Sequence, residues 1–413
     1  NNSEAIENMA TSFSWKELSV GAGLPEEELK EIAALFEEMH PACVLMGKGP
    51  QHYRQGTEIT RLILSAIAVS GNIGVQGGGL QYNSEFWSAF DQTLKGDEFV
   101  TSKRTAPKGI LGEAILNMKN PPLRAAYING GNPATQCPNS KKVAKALRSI
   151  DFVTVVDAFM TDTAECADLF LPCAMFLEER DVRPASWNPY VGPVVPAAKP
   201  LGGVKTDWEI LGELALRMGI DDPYLGKPVE VLLEAALGPM AKHGLDPKEA
   251  MNSVFKKPSA QDVPFADGDF STPSGKFEFL EDWEPIQTPI TWTTPPSVSP
   301  GGTKTNGGND LETVPRSDQW ESDFPLYLLS LKNPKSQASQ TLEATQDKTE
   351  PLAWLHPDTA ARFGVQEDDT GQLVSEFGSY CVKFSIDNGL REDVCVARAG
   401  GWMKKNRGIN VIT

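Results

Sequence analysis

No two of the six cysteines stand in a C-x-x-C pair. Cys43, Cys137, Cys166, Cys173, Cys381 and Cys395 are scattered, which excludes a disulfide scaffold and a zinc or iron–sulfur site built within this chain. Isolated thiols of this kind fit a reducing compartment, and the expected location is the cytoplasm. The four histidines (His40, His52, His243, His356) are equally dispersed, so no metal-ligand spacing and no Ser–His–Asp or Cys–His arrangement exists. No apolar run approaches the roughly 18 residues of a membrane helix. Positive charge is scarce: 38 Lys and Arg face 55 Asp and Glu, for a net charge of −17. With no basic cluster interleaved with aromatics, the charge argues against a nucleic acid or an anionic lipid surface as partner. Residues 1–13 do not begin with Met and lack the layout of a secretion signal, so either something precedes Asn1 or the chain is processed.

Phosphate, if bound, must therefore be held by backbone dipoles and a few cations. One stretch is suited to that. An apolar run over residues 124–128 stops at Asn129-Gly130-Gly131-Asn132-Pro133, and a polar helix is expected over 139–148. A strand that ends in a glycine turn before a helix leaves N–H groups facing open space. Any α/β protein owns such turns, so the turn alone leaves a phosphate site and an ordinary connection both open.

The rest of the chain extends that pattern. Pro25-Glu26-Glu27-Glu28 opens a helix with Leu29, Ile32, Ala33 and Phe36 at helical spacing. Residues 42–46 read as a strand ending at Gly47-Lys48-Gly49, and a helix follows Gly56. Further strands are expected over 152–156, ending at Asp157, and over 168–171. Alternation of this kind implies parallel Rossmann-like sheets, whose ligands lie beyond the carboxyl ends of the strands. Gly47 to Gly49, Gly130 to Asn132 and Asp157 all fall there. Thr206-Asp207-Trp208-Glu209 is a capping box, and more helix is expected over 229–237 and 247–255. Residues 284–323 are rich in Pro, Thr, Ser, Gly and Asn and read as a linker. Alternating runs after residue 324, with tight turns at Phe377-Gly378-Ser379 and Asp387-Asn388-Gly389, imply a six-stranded β-barrel domain. The expected domains are thus 1–85 and 86–283, both α/β, the linker 284–323, and the barrel 324–413.

Taken singly, several motifs have plain readings. Gly47-Lys48-Gly49 lacks the third glycine of a dinucleotide fingerprint, which disfavours a simple NAD enzyme. Asp157 is a base, a ribose or guanine acceptor, or a solvated strand-end acid. Asp207 is a first-turn acid favoured by the helix dipole, and Glu178 to Asp181 reads as a solvated loop.

In series, these landmarks resemble the molybdopterin oxidoreductases of the dimethyl sulfoxide reductase family, which includes formate dehydrogenases and polysulfide or thiosulfate reductases. Gly47-Lys48-Gly49, Gln55-Gly56 and Gly71-Asn72-x-Gly74 resemble the family's segment before its glycine-rich loop, here Gly77 to Gly79. Gly130-Gly131-Asn132-Pro133 resembles its phosphate loop. Val156-Asp157-x-Phe159-Met160-Thr161-x-Thr163-Ala164, leading to Ala167-Asp168 and Leu171-Pro172, is the most specific signature. Lys205-Thr206-Asp207-Trp208 matches a helix start whose Asp contacts cofactor. The C-terminal region resembles the family's dinucleotide-binding barrel.

The resemblance implies an enzyme with two pyranopterin guanine dinucleotides (bis-molybdopterin guanine dinucleotide) holding one Mo or W. Its implied contacts are Gly47, Lys48, Gly49, His52, Gly130, Gly131, Asn132, Gln136, Asp157, Phe159, Thr161, Lys205, Asp207, Lys332, Asn333, Ser336, Gln337 and Asn410. Asp157 would accept from guanine or ribose, and Asp207 would contact the second cofactor. Family members begin with an iron–sulfur segment and a metal ligand that have no counterpart here. The chain thus resembles the C-terminal two-thirds of an enzyme or one half of a split one. A 4Fe-4S cluster and the metal ligand are expected on a missing N-terminal segment or second subunit, with an iron–sulfur subunit and a small-molecule substrate as further partners. Gly79-Leu80-Gln81-Tyr82-Asn83-Ser84-Glu85 lacks the Asn- and Gln-rich loop of formate dehydrogenases, which counts against formate. The alternative is a metal-free homologue serving as a scaffold in an electron-transfer complex.

Overall fold

The computed structural model describes residues 3–52, 56–82, 89–99, 104–279, 297–300, 324–334, 336, 339–341, 343–346 and 350–413. Most of the expected linker, together with Gln337, lies outside the described residues, as does the side chain of His52.

The chain forms two compact units. The first comprises Asn1–Asp97, Arg180–Pro196 and Lys227–Thr293. Its helices Trp15–Ala22 and Glu26–Glu38 precede the strand Cys43–Leu45, which pairs in parallel with Gly79–Gln81. The Gly71-Asn72-x-Gly74 motif fixes that pair. Buried Asn72 accepts the Ala42 N–H through Oδ1 at 2.6 Å, and Gly79 N–H donates to Ala42 O at 3.1 Å. A Cβ at Gly74 would meet Phe265 O at 2.7 Å, so this glycine is required by packing.

One expectation fails in this unit. The helix expected over 247–255 is one turn, Pro247–Ala250, after which Phe255–Lys256 joins a sheet. Buried Phe255 packs with Val191 and Leu237, and burial of that ring outweighs helical continuation. The charge run expected as loop is loop over 178–180, and only its last residue, Asp181, enters a strand. Asp181–Pro184 pairs antiparallel with Tyr190–Val194, which pairs with Phe255–Lys256. Val182 and Val191 are its buried anchors, too few to stand out from a charged stretch.

The second unit comprises Glu98–Glu179, Ala197–Gly226 and Thr294–Thr413. Its parallel sheet runs Ala125–Asn129, Phe152–Asp157, Leu169–Pro172. The central strand is buried through Val153, Thr154, Val155 and Val156, as a strand covered on both faces must be. Helix Ser140–Leu147 packs Val143, Ala144 and Leu147 on this sheet. A curled C-terminal sheet follows. Leu326–Leu331 pairs in parallel with Val394–Arg398, and the order continues through Leu352–Leu355, Gly378–Ile386 and Thr370–Ser375. The short strand Ser297–Pro300 pairs with both Leu326–Leu331 and Thr370–Ser375. Leu326, Leu355, Leu373, Val382, Phe384 and Ile412 fill its interior.

Helix Asp207–Met218 begins as expected: Thr206 Oγ1 accepts the Glu209 N–H at 3.2 Å, and Glu209 Oε2 accepts the Thr206 N–H at 2.8 Å. Thr206→Ala should cost about 1 kcal/mol in a denaturant titration. A loss below the error of the fit would show that the cap contributes nothing.

Candidate functional site

The glycine turn, the strand ends and the helix start all belong to the second unit. Asn129 ends its strand, and Gly130 adopts φ +60°, a left-handed backbone that glycine accepts without strain. Gly130 N–H bonds Val156 O at 3.3 Å, tying the turn to the central strand. An added Cβ at Gly130 would meet nothing within 4 Å, so the turn opens onto free space.

The Asn132 side chain turns inward, away from the open side of the turn. It is buried, with Oδ1 accepting the Thr163 hydroxyl at 2.7 Å and the Thr163 N–H at 3.3 Å. Its Nδ2 donates to Ser339 Oγ at 3.3 Å, and Gln136 Nε2 donates to the same oxygen at 3.1 Å. Asn410 donates to Thr135 O at 2.7 Å. Asn132, Gln136 and Asn410 therefore brace the turn and its helix with their side chains.

Four groups share one electrostatic environment at the sheet's carboxyl side: Asp157, Cys173, Asp207 and, within the strand Ala125–Asn129, Tyr127. Burial holds the Asp157 carboxyl above its ordinary range; the Phe159 and Ala158 N–H groups pull it down, and the Asp207 charge adds to the rise. Phe159 N–H reaches Asp157 Oδ1 at 3.1 Å. Burial pushes the Cys173 thiol up to about 12, reinforced by the Asp207 and Asp157 carboxylates. The Tyr127 hydroxyl is raised by burial and then by Asp207 and Cys173. Asp207 Oδ1 is buried without a hydrogen bond of normal geometry among the described residues, and the Cys173 thiol is the donor that lies against the Asp207 carboxylate. A buried carboxylate oxygen without a donor is costly, and a ligand that brings one removes the cost. Asp207, expected at a second cofactor, thus sits beside Asp157.

The other expected residues divide. Phe159 is half-exposed, and Thr161 is buried with its hydroxyl accepting the Ala164 N–H at 3.3 Å. Lys205 is exposed and ion-paired with Glu213. Lys332 is exposed and gives its carbonyl to Arg398 at 3.0 Å, while Ser336 Oγ accepts from Thr341 at 2.9 Å. Gly47, Lys48 and Gly49 follow their strand in the first unit, where a Cβ at either glycine would meet nothing within 4 Å. Sequence reasoning missed Ser339, Thr135, Cys173 and Asp162. Ser339 and Thr135 carry no signal of their own. Asp162 lies inside the most specific motif, at a position the motif leaves unspecified.

Among the described residues His356, Asp358 and Glu392 form one group able to hold a metal ion. His356 caps the helix Pro357–Phe363, accepting the Asp358 N–H at Nδ1 at 3.2 Å, and the helix dipole there disfavours a cation. The group reads as a cap. No helix among the described residues is long and apolar enough to cross a membrane.

Residues 10–217 match the family model for molybdopterin oxidoreductases, and residues 327–413 that for the molydopterin dinucleotide binding domain. The chain belongs to the molybdopterin oxidoreductase family, and formate dehydrogenases and trimethylamine-N-oxide and dimethyl sulfoxide reductases are among its relatives. It is 27% identical over 414 residues to the probable oxidoreductase YyaE of Bacillus subtilis, covering 99% of this chain and 60% of that protein. It is 28% identical over 225 residues to formate dehydrogenase H of Escherichia coli, covering 49% of this chain and 31% of that one. Its fold is similar to acetylene hydratase from Pelobacter acetylenicus, with a TM-score of 0.73 at 19% identity, over 97% of this chain and 59% of that chain. The chain thus spans about three-fifths of the proteins it matches most fully.

Proposed function

We propose that this chain is the cofactor-binding portion of an oxidoreductase that uses a Mo or W ion held by two pyranopterin guanine dinucleotides. The observation that carries the reading is the paired acids, Asp157 and Asp207, set beyond an open glycine turn with one carboxylate oxygen buried and unpartnered. Guanine presents adjacent N–H donors on one edge, and a carboxylate takes them as strong charge-assisted bonds. Adenine presents an acceptor at the matching ring nitrogen and would be repelled. The carboxylate acceptors of this chain therefore fit the N–H edge of a guanine nucleotide.

In this reading the main chain of Gly130 to Asn132 holds the diphosphate, Asp157 accepts from a guanine or ribose, and Asp207 contacts the second cofactor. The side chains of Asn132, Gln136 and Asn410 keep the turn in place. Phe159, half-exposed beside Asp157, offers an apolar face to a base or ribose. When bound, the pterin-held metal supplies two-electron or oxygen-atom-transfer chemistry. The chain contributes binding, orientation and electrostatics. The curled C-terminal sheet is read as the six-stranded barrel, supported by the pairing of Ser297–Pro300 with both flanking strands. The metal ligand and a 4Fe-4S cluster are assigned to polypeptide outside this chain, with electrons leaving through an iron–sulfur partner. The length of the relatives supports that assignment. Six free cysteines support a cytoplasmic setting.

Metal analysis of the protein purified with its partners, with release of oxidised pterin and GMP by acid, tests the reading. Mo or W with pterin and GMP is the expected result. A fully assembled sample without pterin or GMP would overturn it, and pterin without metal would favour a scaffold instead.

A further inference from the structure

We infer that Asp162 is a positioning residue, whose buried carboxylate latches the segment 402–410 to the helix after the glycine turn. The turn is aligned for a nucleotide only while that latch is closed. The inference rests on the proposed function for its ligand, but the latch itself stands on geometry.

Asp162 is 3% exposed and receives three donors from two distant parts of the chain. Thr135 Oγ1, in the helix Pro133–Gln136, donates to Oδ2 at 2.5 Å. Met403 N–H donates to the same oxygen at 2.6 Å, and Lys404 N–H donates to Oδ1 at 2.9 Å. All three partners are donors, so an ionised carboxylate satisfies each of them. An amide of the same shape would turn its NH₂ against at least one of these donors. Buried acceptors of this kind hold their partners strongly because the alternative is an unsatisfied group.

Three further contacts hold 402–410 near the turn, one of them directly to the same helix. Trp402 Nε1 donates to Ser339 O at 2.8 Å, and Ser339 Oγ receives Asn132 and Gln136 from the turn. Asn410 Nδ2 donates to Thr135 O at 2.7 Å. Lys404 pairs with Glu165 at 3.0 Å. Met403, Lys404 and Asn410 thus tie 402–410 to the helix after the turn or to the loop that follows Asp157, while Trp402 reaches the turn through Ser339 and the segment is also held by Gln346 and Tyr380. Asp162 is the member that touches both sides with one side chain. Opening it would free Thr135 and the two main-chain N–H groups together, and the turn would lose its brace.

Asp162→Asn in the full protein, isolated with its partners, tests this by amide exchange and by GMP released per chain. Met403 and Lys404 should exchange about tenfold faster or more, GMP content should fall clearly below wild type, and Asp162→Glu should recover part of both. Val382→Ala, a core truncation in the curled sheet, is the control for general destabilisation: it should lower the thermal midpoint and keep its GMP. Unchanged exchange at Met403 and Lys404, or a GMP loss no greater than in Val382→Ala, would overturn the latch. If Asp162→Asn does not accumulate, Thr135→Val removes the turn-side donor alone. It should lose GMP while Met403 and Lys404 stay protected, and a wild-type GMP content would refute the coupling. Absence of GMP from the wild type would instead sink the proposed function, and exchange would then judge the latch by itself.

Discussion

Gly401→Ala is expected to undock the segment 402–410 and to lower stability by about 3 kcal/mol. A Cβ at Gly401 would lie 2.1 Å from Arg407 O, 2.5 Å from Arg407 Cβ and 2.7 Å from Arg407 C. Most of that obstruction is main chain, so no side-chain rotation relieves it. The loop is closed by Arg407 N–H bonding Trp402 O at 3.0 Å, and a shift of Arg407 breaks that closure. Tyr380, whose hydroxyl donates to Arg407 O at 2.9 Å inside the curled sheet, would lose its partner in the same movement. Denaturant unfolding with the midpoint and slope fitted separately measures the loss. A variant within about 0.5 kcal/mol of wild type would show that the loop repacks freely. Because Trp402 carries the bond to Ser339, the variant should also lose guanine nucleotide.

Legibility of this molecule from its sequence followed the strength of local patterns. The central strand Phe152–Asp157 was visible because four consecutive residues are buried, which leaves an unbroken run of Val and Thr. The strands of the curled sheet were visible because one face is buried, as in Gly378–Ile386, where Tyr380, Val382 and Phe384 point inward. The small sheet containing Asp181–Pro184 was hidden because four residues with one buried Val give no period to read. At the site, the glycine turn and both acids were legible as residue types at strand and helix ends. The inward set of the Asn132 side chain was not, since nothing local distinguishes an amide that meets phosphate from one that meets Thr163. Ser339 and Asp162 depend on contacts more than 200 residues apart, such as that of Asp162 with Met403 at a separation of 241. Only the folded chain brings these together.

Asp157→Asn is expected to act in opposite directions on binding and on stability. Removing the charge should weaken guanine nucleotide binding by about 10- to 100-fold, the range of a lost hydrogen bond to an ionised group. The same change should stabilise the cofactor-free protein near neutral pH. Burial raises the folded-state carboxyl of Asp157 above its ordinary value of 3.8. In the interval between those two values the folded state binds more protons than the unfolded state, so stability falls as the pH rises through it. Above the raised value the charge carries its full desolvation cost, and below 3.8 both states are protonated and the cost is absent. An asparagine keeps the carbonyl that accepts the Phe159 N–H and never ionises. The difference in thermal midpoint between variant and wild type should therefore be positive at neutral pH and shrink as the pH falls toward 3.8. Asp207→Asn should repeat the loss of nucleotide, because its buried Oδ1 is an acceptor that no N–H donor of the described chain satisfies. Retained GMP in both variants would remove the acids from the binding site. A flat midpoint difference across the titration would mean that Asp157 is solvated rather than buried. Stability surrendered at an acid that the fold itself does not need is the physical mark of a group kept for its ligand.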